Sequence, residues 1–176
     1  MNTTHLHLLL NHFPIIGTLI GSILLLWAIV KNQDNLKSIA SALLVLMALM
    51  AIPVYLTGEP AEESVEKLPG VSEALIELHE EAASIAIWLM EITGAIALLA
   101  LFLQWKKNKM AKAGFLTAFI LSALCFAAMA RTGYYGGQIR HTEIRSGAAV
   151  GEQNGNEKEG GENDKQEKDK EEKDDD

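Results

Sequence analysis

The 176 residues carry a formal net charge of −8 and a single cysteine. That balance offers nothing to a nucleic acid, and one thiol excludes an intrachain disulfide, a cysteine-based metal site and a dithiol redox motif. The charge is also unevenly placed: residues 151–176 hold twelve acidic residues and five lysines, which is −7 of the total, so the chain up to about Ala130 has the composition of a membrane protein.

Four apolar segments follow one another, at about 8–30, 36–56, 75–103 and 113–130. Each is near or above the roughly 20 residues needed to cross about 30 Å of hydrocarbon. The expected fold is therefore all-α, a four-helix transmembrane bundle over residues 1–145 in contact with the lipid bilayer. Residues 146–176, Gly, Asn, Glu, Lys and Asp with no aliphatic residue beyond Val150, are expected to be a disordered acidic tail.

Segment one is preceded or opened by His5, His7 and His12. No Lys or Arg precedes it and no small-residue cleavage site ends it, so it is expected to stay as a membrane helix. Pro14 either starts that helix or kinks one already under way, and Gly17 with Gly21 gives the small-xxx-small spacing of close helix packing. Segment two ends near Pro53. Thr57-Gly58-Glu59-Pro60 then opens a connection with a short amphipathic helix, ending before Leu68-Pro69-Gly70.

Ser72 is the expected N-cap of a long third helix. Over 72–105 that helix spans about 50 Å at 1.5 Å per residue, so its first turns project beyond the hydrocarbon. Glu73, Glu77, Glu80, Ser84 and Glu91 fall on one stripe, opposite an apolar face. Glu91 lies about 21 Å from the Trp105 end. A carboxylate at that depth marks either a functional group facing the bundle interior or a structural one, hydrogen-bonded or paired with Arg131. Segment four repeats the small-residue spacing at Gly114, Ala118 and Ser122, and Cys125 within it is read as packing. Gly136 and Gly137, just beyond, permit a close-approach turn that brings His141 back over the bundle mouth; a plain helix exit explains the same letters.

Lysines set the orientation. Lys31 and Lys37 follow segment one, and Lys106, Lys107, Lys109 and Lys112 follow segment three, so this side is expected to be cytoplasmic and both termini extracytoplasmic. Trp27 and Trp105 mark the inner interface, and Tyr55, Trp88, Tyr134 and Tyr135 the outer one. All five histidines and many glutamates then share the outer side. His12, His79 and His141 as nitrogen donors, with Glu59, Glu63, Glu80 or Glu143 as oxygen donors, suit a non-haem iron, copper, zinc or manganese ion. His5 and His7 are expected to matter less, because the terminus frays. Two imidazoles alone are instead enough for haem b, with Arg131 or Arg140 meeting its propionates. A bare hydrogen-bond network is the structural alternative, and a scaffold subunit binding another membrane protein the non-catalytic one. There is no nucleophile elbow, phosphate loop or dinucleotide fingerprint.

His12-Phe13-Pro14-Ile15, the Thr57-Gly58 turn, His79 heading segment three and Gly136-Gly137 after segment four make residues 5–145 resemble the bacterial membrane proteins grouped as domain of unknown function 2231. The resemblance implies a four-helix module of the bacterial cytoplasmic membrane, of unassigned activity and sometimes joined to Rieske or haem domains. It thereby implies electron transfer with an extracytoplasmic redox protein or membrane subunit. The chain departs from such fusions in carrying no redox domain, and Gln138-Ile139-Arg140-His141 after the two glycines puts a shared ligand set in doubt.

Overall fold

The computed structural model describes residues 3–145. Among the described residues six α-helices occur in order: α1 (Thr3–Leu10), α2 (His12–Val30), α3 (Asp34–Leu56), α4 (Gly58–Glu63), α5 (Glu73–Trp105) and α6 (Ala111–Arg140). Four spans, α1 with α2, then α3, α5 and α6, are long and apolar enough to cross a membrane. The helices up to Arg140 form one compact unit. Residues from His141 onward belong to a second, in which only a short 3-10 turn, Thr142–Ile144, is described. The expected tail, 146–176, lies outside the described residues.

The four long helices pack in a ring, α2 against α3, α3 against α5, α5 against α6 and α6 back against α2. Its interior is made of small and flexible residues, among them Ala40, Leu44, Ala97, Ala100 and Ala118 toward one end and Ala48, Ala86, Met90, Cys125 and Met129 toward the other. Its exterior is made of large ones: Ile23, Leu49, Trp88 and Leu98 are all more than half exposed. Large apolar side chains outside and small ones inside are what lipid solvation favours, since helices in a bilayer associate by close backbone packing rather than by hiding leucine.

Glycines create that approach. A Cβ on Gly94 would meet Ala48 Cβ at 2.5 Å, and one on Gly114 would meet Ala100 Cβ at 2.9 Å. The Gly17 and Gly21 pair lies against Met47 and Leu44 of α3, as its spacing foretold. Ser22 and Ser122 hydroxyls bond across the α2–α6 contact at 2.7 Å.

The lysine-bearing end closes with two tight connections. Asn32 and Lys107 each take a positive φ, 50° and 51°. Lys37, almost wholly buried, donates to Asn32 Oδ1 and Asp34 Oδ1, both at 2.9 Å. Ser38 donates to Gln104 Oε1, and Gln104 Nε2 donates to the Asp34 carbonyl, which ties α3 to α5. Lys31 over Trp27 and Lys106 over Trp105 add cation–π contacts of the kind interfacial aromatics make.

Three local expectations need correction. The Gly136-Gly137 turn does not form: α6 continues through both glycines to Arg140, ten residues past the expected end at Ala130, and neither glycine has a positive φ. Two helical glycines each cost about 1 kcal/mol relative to alanine, but the α5 turns above the hydrocarbon would otherwise lack a partner, and packing along α5 overrides the propensity. Ser72 stands at the cap position of α5 with extended backbone, yet its hydroxyl makes no capping bond. Glu91 and Arg131 are not paired; Arg131 is exposed and lies over the Tyr135 ring.

Candidate functional site

The histidine-bearing end is shaped by a proline. Pro14 has no N–H for the Leu10 carbonyl four residues earlier, and its ring crowds that carbonyl. The helix is accordingly interrupted at Asn11, which separates α1 from α2. α1 packs on α4, where the Thr4 and Ser64 hydroxyls bond. This carries His7 onto the end of α3. Its Nδ1 lies 3.1 Å from the Val54 carbonyl and 3.2 Å from Thr57 Oγ1, with the ring edge facing Gly58.

His79 enters from α5. Its Nδ1 lies 2.9 Å from the Thr132 carbonyl of α6. Gly136, one turn further along α6, leaves the ring room: a Cβ there would stand 3.0 Å from both Cε1 and Nδ1 of the imidazole but 4.0 Å from Nε2. The close approach expected of this glycine is therefore real, though helical and directed at His79.

A main-chain carbonyl only accepts, so in both rings Nδ1 must carry the proton. In its neutral form each imidazole then has a bare lone pair on Nε2, the tautomer in which a histidine held by its other nitrogen serves as a ligand. Both rings are half-buried and near enough for the charge of one to act on the other.

The carboxylates form a separate group. Glu62 of α4 hydrogen-bonds Glu80 of α5, with Glu66 and Glu59 close by. Partial burial, then the hydrogen bond and repulsion from Glu80, push the Glu62 carboxyl from its ordinary 4.5 up to about 7. One proton shared between two carboxyls is the usual outcome when like charges are held together. Glu91 sits lower on α5 with Oε1 buried and without a hydrogen-bond partner, as is Asn11 Oδ1 at the α1–α2 break.

Of the expected ligands, His79 is held as a ligand would be. His12 is exposed, its Nδ1 bonding the Leu8 carbonyl of α1 at 2.7 Å, and Glu59, Glu63 and Glu80 are exposed as well. His141 and Glu143 lie in the second unit and bond each other at 2.7 Å, which, after the Glu143 backbone hydrogen bond, draws the Glu143 carboxyl below its ordinary range. Among the described residues no three His, Cys, Asp or Glu side chains are placed to hold a metal ion together, so the expected mixed His/Glu set is not assembled. His7 was missed. Its signal was Pro14 seven residues on, which interrupts the helix at Asn11.

Comparison with family models, with curated proteins and with solved structures finds no match for this chain.

Proposed function

We propose that the chain is an electron-transfer module of a bacterial cytoplasmic membrane, with its histidine-bearing end extracytoplasmic, and that His7 and His79 would hold a haem b. The observation that carries the reading is the pair of imidazoles from α1 and α5, each fixed through Nδ1–H to a main-chain carbonyl and each presenting a free Nε2. A non-haem ion needs three or more protein donors, whereas haem supplies its own equatorial nitrogens and needs only two imidazoles. The donor set at this mouth matches the second requirement better than the first.

The chemistry such a group supplies is one-electron transfer. The protein's part is to fix both ring orientations and to hold the rings half out of water; cations on the last turns of α6, Arg131 and Arg140, are available to carboxylate substituents. Resemblance to domain of unknown function 2231, sometimes joined to Rieske or haem domains, points to an extracytoplasmic redox protein or membrane subunit as the electron partner.

Purified protein should show a reducible Soret band. His7→Ala and His79→Ala should each abolish it while the protein stays monodisperse, and His12→Ala should keep it. Full haem occupancy in both core variants, or wild-type protein that takes up no haem on reconstitution, would overturn the assignment.

A further inference from the structure

The end of the bundle opposite the histidines collects cations. Lys31 follows α2, Lys106, Lys107 and Lys109 follow α5, and Lys112 opens α6; all five are exposed. Lys37 is buried and its charge is met by Asp34, the acidic residue of this end, so among the described residues none of the five has a carboxylate partner. The fold holds them side by side. A core cluster that includes Leu25, Ala40, Ala100 and Ala111 draws all four long helices together here, and the bonds of Gln104 with Ser38 and the Asp34 carbonyl join the start of α3 to the end of α5. Just inside the lysines stand exposed aromatic rings, Trp27 at 56%, Phe102 at 50% and Trp105 at 73%. Lys31 Nζ lies 5.4 Å from the Trp27 centroid, and Lys106 Nζ lies 4.5 Å from that of Trp105 and 5.7 Å from that of Phe102. Lysines folded over rings that face lipid bring their ammonium groups to the depth of the headgroups, where tryptophan itself gathers.

We infer that this end is a binding surface for anionic phospholipid, with the headgroup phosphates held by Lys31, Lys106, Lys107, Lys109 and Lys112 and the acyl chains lying on the apolar wall below. Charge complementarity selects the lipid. Each lysine close to an anionic leaflet adds to the attraction, and lysines grouped within a Debye length act on the same headgroups. The wall below them is exposed and apolar, with Ile23, Leu26 and Val30 on α2 and Leu98, Leu99 and Phe102 on α5, so a diacyl lipid gains contacts that a free phosphate lacks. The histidine-bearing end offers the same headgroups no such charge. There Glu59, Glu62, Glu63 and Glu66 outnumber Lys67, and the glutamates of the first turns of α5 outnumber Arg131 and Arg140. Selectivity for anionic lipid therefore belongs to one end of the bundle.

The inference rests neither on haem nor on orientation, because the test uses vesicles with the same lipids in both leaflets. The chain's three tryptophans divide between the ends: Trp27 and Trp105 report on the lysines, and Trp88, about 25 Å from Trp105 along α5 at 1.5 Å per residue, reports on the opposite leaflet. Full-length protein carrying Trp88→Phe, or Trp27→Phe with Trp105→Phe, is reconstituted in mixed phosphatidylcholine and phosphatidylglycerol vesicles, and tryptophan quenching is compared with bromine on one lipid or on the other. Trp27 and Trp105 should favour phosphatidylglycerol by about fivefold or more, the effect of one lysine beside an anionic headgroup, whereas Trp88 should show no preference. Added salt should reduce the preference, inorganic phosphate at matched ionic strength should leave it in place, and changing all five lysines to glutamine should remove it. Equal quenching by the two lipids at Trp27 and Trp105, the same preference at Trp88, a preference unmoved by salt, one displaced by inorganic phosphate, or one kept by the glutamine variant would each overturn the surface.

Discussion

Gly94 offers the most direct test of how the bundle is held. An alanine methyl there would stand 2.5 Å from Ala48 Cβ, whereas non-bonded carbons rest at about 3.5–4.0 Å. Ala48 is buried and has no rotamer through which to retreat, so α3 and α5 must part by about 1 Å. Overpacking of this kind costs about 1–3 kcal/mol, and alanine returns at most about 1 kcal/mol of helix propensity over glycine. The net expectation for Gly94→Ala is a loss of about 1–2 kcal/mol. Gly133→Ala is the control: nothing lies within 4 Å of a Cβ at that position, so only the propensity term applies and stability should be unchanged or raised by up to about 1 kcal/mol. The assay is reversible unfolding in mixed micelles followed by far-ultraviolet circular dichroism. Adding Ala48→Gly to Gly94→Ala should recover much of the loss by removing the opposing methyl. A Gly94→Ala variant as stable as the wild type, or one that Ala48→Gly fails to rescue, would refute the close-approach account.

Three further outcomes are expected. Glu62 has its folded-state carboxyl raised from 4.5 to about 7, so its contribution is fully present below pH 4.5 and is lost as pH rises through 7. After solvent screening of a half-exposed group this amounts to about 1 kcal/mol, and Glu62→Gln should flatten the stability profile between pH 5 and 8; an unchanged slope would mean that Glu62 and Glu80 do not share a proton. Glu91 Oε1 lacks a partner, so Glu91→Leu should raise stability by about 1–3 kcal/mol, and a loss instead would reveal a bonded carboxyl. For orientation, cysteines placed at Asn32 and Asn108 should resist an impermeant thiol reagent in intact cells while one at Ser64 reacts, and the opposite pattern would put the histidine-bearing end in the cytoplasm.

The four apolar spans were legible because hydropathy over some 20 residues reports a sum, and local errors cancel in it. Gly17, Gly21 and Gly114 were legible for a related reason: a small residue every fourth position can only thin one face of a helix. What escaped was anything decided between helices. Gly136 and Gly137 read as a turn in isolation, because the imidazole that occupies the space above Gly136 belongs to a residue 57 positions earlier, and no local window contains both. Gly94 drew no notice either, since its partner is Ala48 on another helix. His12 was preferred to His7 because the terminus was expected to fray, and the α1–α4 contact that holds His7 is likewise decided between helices.

The mouth follows from how the short helices pack. α1 lies against α4 and brings His7 to the Val54 carbonyl and Thr57 hydroxyl. The Val54 carbonyl belongs to the last turn of α3, where it accepts from the Thr57 N–H at 3.2 Å and from the Thr57 hydroxyl at 2.9 Å. The Thr132 carbonyl that holds His79 likewise takes its imidazole beside Gly136, where the absent side chain leaves α6 open. Both imidazoles are thus anchored where helix geometry leaves a carbonyl accessible, by a helix end in one case and by a missing side chain in the other. The polar mouth is a consequence of where the bundle stops packing.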